Sequence, residues 1–167
     1  MIVLREYSAS DLEELVELAN NRNVSRYLVY TFPYPYTRAD GEWWLENGSR
    51  EDGAITKAIE YEGRFAGSIG IKPQPGWKAH MAEIGYWIGE SYWGRGIASE
   101  ALQRMTRLAF SRHGCRKLSA PVLGPNKASI RVLEKKAYVL EGIMKDEVFK
   151  DGRYFDIHHY ARLRPHA

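Results

Sequence analysis

Two glycines separated by one arginine stand directly before a long helical pattern, in the segment SYWGRGIASEA at residues 91–101. The first N–H groups of a helix have no intrahelical acceptor and carry partial positive charge, so they bind anions. Gly94 and Gly96 leave the backbone bare, and Arg95 between them adds a cation. No carboxylate lies within residues 91–99 to repel a ligand. The segment therefore predicts a phosphate or diphosphate site.

Three phosphate-binding loops and a plain strand-to-helix turn are alternatives for this segment. A P-loop is excluded, because GxxxxGK[ST] does not occur in the chain. A dinucleotide loop needs a third glycine and an acidic residue ~20 positions further on, but the chain has Ser99 and Arg116 at these positions. The third alternative is a diphosphate loop in which the N–H groups of residues 93–98 converge on the ligand.

Hydrophobic periodicity predicts the elements that position this loop. The dipeptides Glu62-Gly63 and Asp151-Gly152 predict two hairpin turns. Capping boxes are predicted for Ser10 with Glu13 and for Thr37 with Asp40. The order βααβββαβαββ places hairpins around one β–α–β unit, which predicts an α+β fold with a mixed sheet. The predicted strands cover residues 1–7, 54–61, 64–71, 81–88, 116–123, 138–149 and 153–163, and the predicted helices cover 10–20, 37–46, 95–113 and 126–136.

Composition limits the classes of protein to consider. A chain of 167 residues fits one domain, taken as 1–167, and a net charge of +3 is too small to argue for nucleic acid. No apolar run approaches a membrane span, and no secretory signal is visible. The only cysteine, Cys115, cannot form an intramolecular disulfide, which predicts a cytoplasmic protein. No Cys/His cluster suggests a metal site.

Four segments resemble the GNAT superfamily of N-acetyltransferases, specifically its RimJ/RimL type. They are AEIGYWI (82–88), YWGRGIASEAL (92–102), NKASIRVLEKKAY (126–138) and DGRYFDIHHYA (151–161), and FPYPYTRAD (32–40) matches a further recurring stretch. The match covers nearly the whole chain in order. The family's diphosphate loop is roughly [Q/R]xxGxG/A, and here Ser91 replaces its first residue.

The resemblance implies a GNAT fold: an α+β, mixed and mostly antiparallel twisted sheet of about seven strands. Helices would cover both faces, and strands 81–88 and 116–123 would splay apart at the acetyl-CoA site. It also implies acetyl-CoA as co-substrate, no metal, and direct transfer of the acetyl group to a primary amine. The implied cofactor-binding residues are Trp87 and Ile88 for pantetheine, Trp93, Gly94, Arg95, Gly96, Ile97 and Ala98 for the diphosphate, and Asn126 and Ser129.

Acetyl transfer needs a base for the amine, a donor for the thioester oxygen and a donor for the departing sulfur. Glu83 is the favoured base, directly or through water, and an exposed acid in a salt bridge is the alternative. A backbone N–H of strand 86–88 is the expected oxyanion donor. Ser129 is the candidate for the sulfur, because Leu133 stands where many GNAT enzymes have a tyrosine.

Two departures from the family pattern affect these assignments. The family's second acidic candidate aligns with Val148, and the neighbouring Glu147 faces the opposite way unless a bulge reorients it. Ala137 replaces a glycine, which is tolerable if its φ angle is negative. Lys127 and Arg131 are one turn apart and would either approach the 3′-phosphate of CoA or form a solvated helix face.

The acceptor is expected to be the α-amine of a protein N-terminus, ribosomal-protein-like, or a small-molecule amine. Tyr34 and Tyr36, in a loop fixed by prolines, are candidate substrate-binding residues, or else members of a packed loop. A homodimer is one assembly to consider, and neither nucleic acid nor membrane is an expected partner. The alternatives to an enzyme are a catalytically weak CoA-binding or sensing domain and, less favoured, a nucleic-acid module suggested by Arg104, Arg107 and Arg112.

Overall fold

The computed structural model describes residues 1–29 and 31–166, and in it seven strands form one mixed sheet. This confirms the predicted α+β class and the number of strands. The strands are β1 (Ile2–Arg5), β2 (Ile55–Tyr61), β3 (Arg64–Pro73), β4 (Met81–Ile88), β5 (Lys117–Leu123), β6 (Val139–Lys150) and β7 (Arg153–Leu163). The helices are α1 (Leu12–Ala19), α2 (Arg22–Ser25), α3 (Arg38–Glu46), α4 (Ile97–Arg112) and α5 (Lys127–Lys135).

The strand order is β1-β2-β3-β4-β5-β7-β6, and β4 with β5 is the parallel pair of this sheet. Residue pairing between β4 and β5 ends at Glu83 and Ser119. Beyond this point the two strands no longer pair with each other, although β4 continues to Ile88 beside β3 and β5 continues to Leu123 beside β7. The predicted splay of these two strands is therefore confirmed, and it opens a gap in the middle of the sheet.

Helices cover both faces of the sheet, as predicted. α4 and α5 pack on one face over a core that includes Ile84, Leu102 and Leu118. α1 and α3 pack on the other face, over a second core that includes Leu15 and Phe65. The larger core lies on the face of the sheet where the loop of residues 91–96 leads into α4. A ligand bound by this loop would therefore lie on the same face as the larger core.

One predicted capping box is confirmed and one is wrong. Thr37 and Asp40 exchange the two capping hydrogen bonds at the start of α3. The box predicted at Ser10 is instead formed two residues earlier, by Ser8 and Asp11. Asp11 is fixed there because its buried carboxylate also accepts two hydrogen bonds from the Arg5 guanidinium, at 2.7 and 2.9 Å.

The end of α5 does not meet the condition under which alanine at position 137 would be tolerable, a negative φ angle. The φ angle of Ala137 is +61°. The Tyr138 amide donates to the Leu133 carbonyl and the Ala137 amide donates to the Glu134 carbonyl, both at 3.0 Å. This is the Schellman pattern, whose left-handed position normally holds glycine. Ala137 is therefore in a conformation that an L-residue rarely adopts.

Replacing Ala137 by glycine is expected to raise the free energy of unfolding by about 1 kcal/mol, measured by urea denaturation. The left-handed conformation costs an L-residue about 1–2 kcal/mol, and the greater freedom of unfolded glycine offsets about 0.4–1 kcal/mol of that gain. Ala128→Gly is the matched control in the same helix, where glycine should lower stability by about 1 kcal/mol. A destabilised Ala137→Gly variant would contradict the strain argument.

Candidate active site

The start of α4 presents a bare, uncapped backbone. Gly96 is its N-cap residue, and no side chain caps the helix, whereas Thr37 and Asn126 cap α3 and α5. Gly94 and Gly96 have φ angles of 76° and 75°, and a Cβ atom added at either would meet no atom within 4 Å. The start of α4 therefore has N–H groups without a side-chain cap beside open space at its two glycines, as an anion site requires.

Two residues of the predicted diphosphate loop have other contacts. The Trp93 amide donates to the Glu90 carbonyl at 3.1 Å, so the predicted run of free amides begins only after Trp93. The Trp93 indole Nε1 donates to the Ile88 carbonyl at 2.8 Å. This bond ties the loop to the end of β4, so that α4 starts beside the gap between β4 and β5. Arg95 is exposed, with its guanidinium near the rings of Tyr61 and Tyr92.

The free backbone edge of β4 can be deduced from the bonds at its two ends. The Gly89 amide donates to Ala66, before Gly67 of β3, and the His80 carbonyl accepts from Arg116, before β5. Backbone groups of successive strand residues point to opposite edges. The even-numbered residues of β4 therefore direct their N–H and C=O groups towards β5, and beyond Glu83 these groups face the gap.

This alternation corrects one of the two predicted pantetheine contacts. Ile88 directs its backbone towards the gap. Its carbonyl already accepts a hydrogen bond from the Trp93 indole, so only its N–H group can pair with a ligand there. Trp87 directs its backbone towards β3, where it is opposite Ser68, so it cannot pair with a ligand in the gap. Tyr86, which was not among the predicted pantetheine contacts, directs both its N–H and its C=O towards the gap.

The first turn of α5 brings Asn126 and Ser129 together beside the gap. The Asn126 Oδ1 atom accepts from the Ser129 amide at 3.3 Å and caps the helix. The Ser129 Oγ atom lies 2.8 Å from the Tyr86 hydroxyl oxygen, across the gap from α5 to β4. Burial raises the pKa of Tyr86 to about 12, although the hydrogen bond with Ser129 opposes this shift. The Tyr86–Ser129 contact could not be predicted from the sequence, because it joins two elements that are distant along the chain. The alternation of β4 indicated only which face of the sheet Tyr86 occupies.

Two further positions bear on the assignments of Ser129 and Glu83: Leu133 and Glu147. Leu133, which stands where many members of the family have a tyrosine, is a fully buried core residue. Pairing of β6 with β7 shifts register between Met144 and Val148, with Asp146 at a φ angle of +49°. The bulge that Glu147 would need for reorientation is thus present, and Glu147 itself is exposed.

Glu83 lies at the point where β4 and β5 separate, on the face opposite Ile84, Tyr86 and Ile88. It is exposed, and in the part of the chain that the structure describes no cation forms a salt bridge with it. The salt-bridge alternative is therefore not observed. On the same face, an added Cβ at Gly85 would meet no atom within 4 Å. An acceptor amine could approach Glu83 over this open position.

The loop before α3 places the two candidate tyrosines differently. Phe32 packs against Trp87, with ring centroids 5.7 Å apart, and brings the loop onto β4. Tyr34 is 47% exposed, with the Arg22 guanidinium 4.7 Å from its ring centroid. Tyr36 is only 6% exposed and belongs to the second core. Tyr36 is therefore a core residue, and the prediction that it lines the acceptor site is wrong.

The two basic residues considered for the 3′-phosphate of CoA lie on the surface. Lys127 and Arg131 are both exposed on α5. Among residues 1–29 and 31–166, no group of three or more His, Cys, Asp or Glu side chains is arranged to hold a metal ion. In the same ranges, no helix has the length and apolar character needed to cross a bilayer.

Comparison with known proteins agrees with this geometry. Residues 2–137 match the family model described as the acetyltransferase (GNAT) domain. An N-acetyltransferase of Bacillus licheniformis, p20, whose function is uncharacterised, is 34% identical over 172 residues, covering 98% of this chain and 93% of its own.

Two solved structures share the fold over almost the whole chain. RimL, the ribosomal L7/L12 α-N-protein acetyltransferase in complex with coenzyme A, superposes with a TM-score of 0.85 at 25% identity, covering 97% of this chain and 93% of its own. Spermidine N-acetyltransferase from Vibrio cholerae, in complex with CoA and spermine, gives 0.82 at 23% identity, with 97% and 95% covered. From its sequence and its forked sheet, the chain belongs to the GNAT family of acetyltransferases.

Proposed function

We propose that the chain is an acetyl-CoA-dependent N-acetyltransferase of the RimJ/RimL type, acting as one domain over residues 1–167 and transferring the acetyl group directly to a primary amine. The observation that supports this most strongly is the gap between β4 and β5, with the uncapped start of α4 at its end. A diphosphate fits the free amides of residues 94–98, and an extended pantetheine arm fits the free edge of β4.

The gap supplies the donors that acetyl transfer requires. The N–H groups of Tyr86 and Ile88 are directed into it and can donate to the thioester oxygen, where negative charge develops. Ser129 lies across the gap and can donate to the departing sulfur. Asn126 holds the Ser129 amide and so fixes the first turn of α5. These four residues form the cofactor side of the site.

Glu83 is the proposed base on the opposite face. Its carboxylate takes the proton that the attacking amine loses, directly or through one water molecule. Because Glu83 is exposed at the fork, the acceptor can approach from the face covered by α1 and α3 while the cofactor occupies the face of α4 and α5. Tyr34 is the remaining candidate for contact with the acceptor.

The acceptor is proposed to be a protein N-terminal α-amine or a small-molecule amine, as in the two solved relatives. Incubation with acetyl-CoA and an amine panel tests this, with free thiol release and mass spectrometry as readouts. The panel contains a peptide with the N-terminal sequence of ribosomal protein L7/L12, spermidine and free amino acids. Acetylation of at least one amine is expected. Tight CoA binding without turnover on any of them would favour a sensing domain. The cytoplasmic location and the homodimer stay predictions.

A further inference from the structure

A single hydrogen bond between two hydroxyl groups joins the two sides of the gap. Tyr86 belongs to β4 and Ser129 to α5, and their hydroxyl oxygens are 2.8 Å apart. The only other acceptor near the Tyr86 hydroxyl, among the residues described, is the Ser129 carbonyl at 3.5 Å. Either hydroxyl group could supply the proton of this bond, and the direction decides what Ser129 can do next.

The surroundings of Tyr86 favour donation from the tyrosine. The Tyr86 hydroxyl is partly buried, and a hydroxyl group removed from water donates its proton to an acceptor within reach. Both acceptors near Tyr86 belong to Ser129. Burial raises the pKa of Tyr86 to about 12, so the phenol keeps its proton at neutral pH. The Ser129 Oγ atom is then an acceptor for Tyr86, and its own proton stays available.

A second hydroxyl pair in the same core shows what happens to such a proton elsewhere. The Tyr138 hydroxyl lies 2.8 Å from Thr106 Oγ1, and Thr106 itself donates to the Leu102 carbonyl at 2.7 Å. The Thr106 proton is therefore engaged within its helix. In the ranges that the structure describes, Ser129 Oγ takes part in no hydrogen bond other than the one with the Tyr86 hydroxyl, so its proton is free for a ligand in the gap.

We propose that Tyr86 is a positioning residue that, by donating to Ser129, directs the Ser129 proton towards the sulfur of bound acetyl-CoA. This inference rests on the proposed function, since it assigns a role within acetyl transfer. Ser129 then contacts the reacting sulfur, and Tyr86 acts only through Ser129. The side chain of Tyr86 thus has a task separate from that of its backbone N–H group, which faces the thioester oxygen.

The chemical step balances without proton transfer from either hydroxyl group. The C–N bond forms while the C–S bond breaks, and the sulfur leaves with the electron pair. Ser129 donates a hydrogen bond to this thiolate, and the amine proton goes to Glu83. A proton relay from Tyr86 is unfavourable, because a phenol with a pKa of about 12 is a weaker acid than a thiol, whose ordinary pKa is about 8.5.

Tyr86→Phe and Tyr138→Phe form a matched pair of variants for the test. Each removes a phenol oxygen bonded to a hydroxyl group, and burial raises the pKa of both tyrosines to about 12. Tyr138 is buried in the larger core, and Tyr86 is partly buried against it. Tyr138→Phe should therefore lower the urea midpoint at least as much as Tyr86→Phe. Only Tyr86→Phe should affect catalysis, because only Tyr86 contacts Ser129.

Turnover is measured by thiol release with acetyl-CoA and the amine of the panel that reacts fastest with the wild type. Tyr86→Phe is expected to lower kcat about tenfold and Ser129→Ala about a hundredfold, with the KM for acetyl-CoA changed less than twofold. Tyr138→Phe should stay within twofold of the wild type. In the double variant, Tyr86→Phe should cause no loss beyond that of Ser129→Ala.

Three results would overturn the inference. The first is a kcat for Tyr86→Phe equal to that of Tyr138→Phe, and the second is a full tenfold further loss in the double variant. The third is an unchanged kcat for Ser129→Ala, which also decides the matter if Tyr86→Phe does not fold. A wild type that turns over no amine would remove the proposed function and the inference together, which distinguishes that failure from the other three.

Discussion

Replacing Gly96 by glutamate is expected to weaken coenzyme A binding at least about a hundredfold, equivalent to about 2.7 kcal/mol, in a protein that still folds. The new carboxylate would enter the open space in front of the free α4 amides, where the diphosphate is proposed to bind. Like charges at this distance repel, and the side chain also blocks approach to the backbone. Calorimetric titration with coenzyme A measures the effect.

Gly53→Glu is the matched control for Gly96→Glu. Gly53 has a φ angle of +78°, close to that of Gly96, and it also has no atom within 4 Å of an added Cβ. Both substitutions therefore impose the same backbone strain, about 1–2 kcal/mol. Only the one at α4 should affect the ligand. A folded Gly96→Glu protein with wild-type affinity would show that the diphosphate binds elsewhere.

Replacing Glu83 by glutamine is expected to lower kcat about a hundredfold or more, with the KM for acetyl-CoA changed less than twofold. General-base catalysis contributes about 10²–10⁴ in rate, and glutamine keeps the size of the side chain while removing its basicity. Glu83 lies on the face opposite the cofactor side of β4, so cofactor binding should not depend on it. Steady-state thiol release with varied acetyl-CoA separates the two constants.

The second acidic candidate provides a control for Glu83. Glu147→Gln, beside the β6 bulge, tests this candidate and should leave kcat unchanged. A reversed result, with loss of activity only in Glu147→Gln, would reassign the base.

Local sequence signals predicted most of the fold because they act over a few residues. The turns at Glu62-Gly63 and Asp151-Gly152 have left-handed backbone angles at all four positions, as their residue types indicated. Thr37 and Asp40 formed the expected capping box. The first helix was predicted less well, since Asp11 is held by Arg5 from β1, a contact between two elements that the local pattern at Ser10 does not reveal.

The candidate site was predicted as far as the backbone of a single segment defines it. Gly94 and Gly96 indicated the uncapped start of α4. Strand alternation predicted that Glu83 and Tyr86 lie on opposite faces of β4. Details that depend on a partner segment were not predictable. Trp93 uses its amide in a local turn, Trp87 directs its backbone towards β3, and Tyr36 packs into a core formed with α1.

The Tyr86–Ser129 bond illustrates the same limit. It joins residues 43 positions apart, and the splay of β4 from β5 decides whether the two hydroxyl groups can meet. Ala137 was a similar case, because the Schellman bonds at the end of α5 determine its φ angle. In both, the residue type was visible in the sequence but its geometry was not.

A crystal structure of the chain with acetyl-CoA tests the central claim most directly. We expect the diphosphate to accept hydrogen bonds from the amides of residues 94–98 and the pantetheine arm to lie along β4 at Tyr86 and Ile88. The thioester sulfur should be within hydrogen-bond distance of Ser129 Oγ. Acetyl-CoA bound away from the start of α4, or a gap between β4 and β5 without the pantetheine arm, would contradict this account.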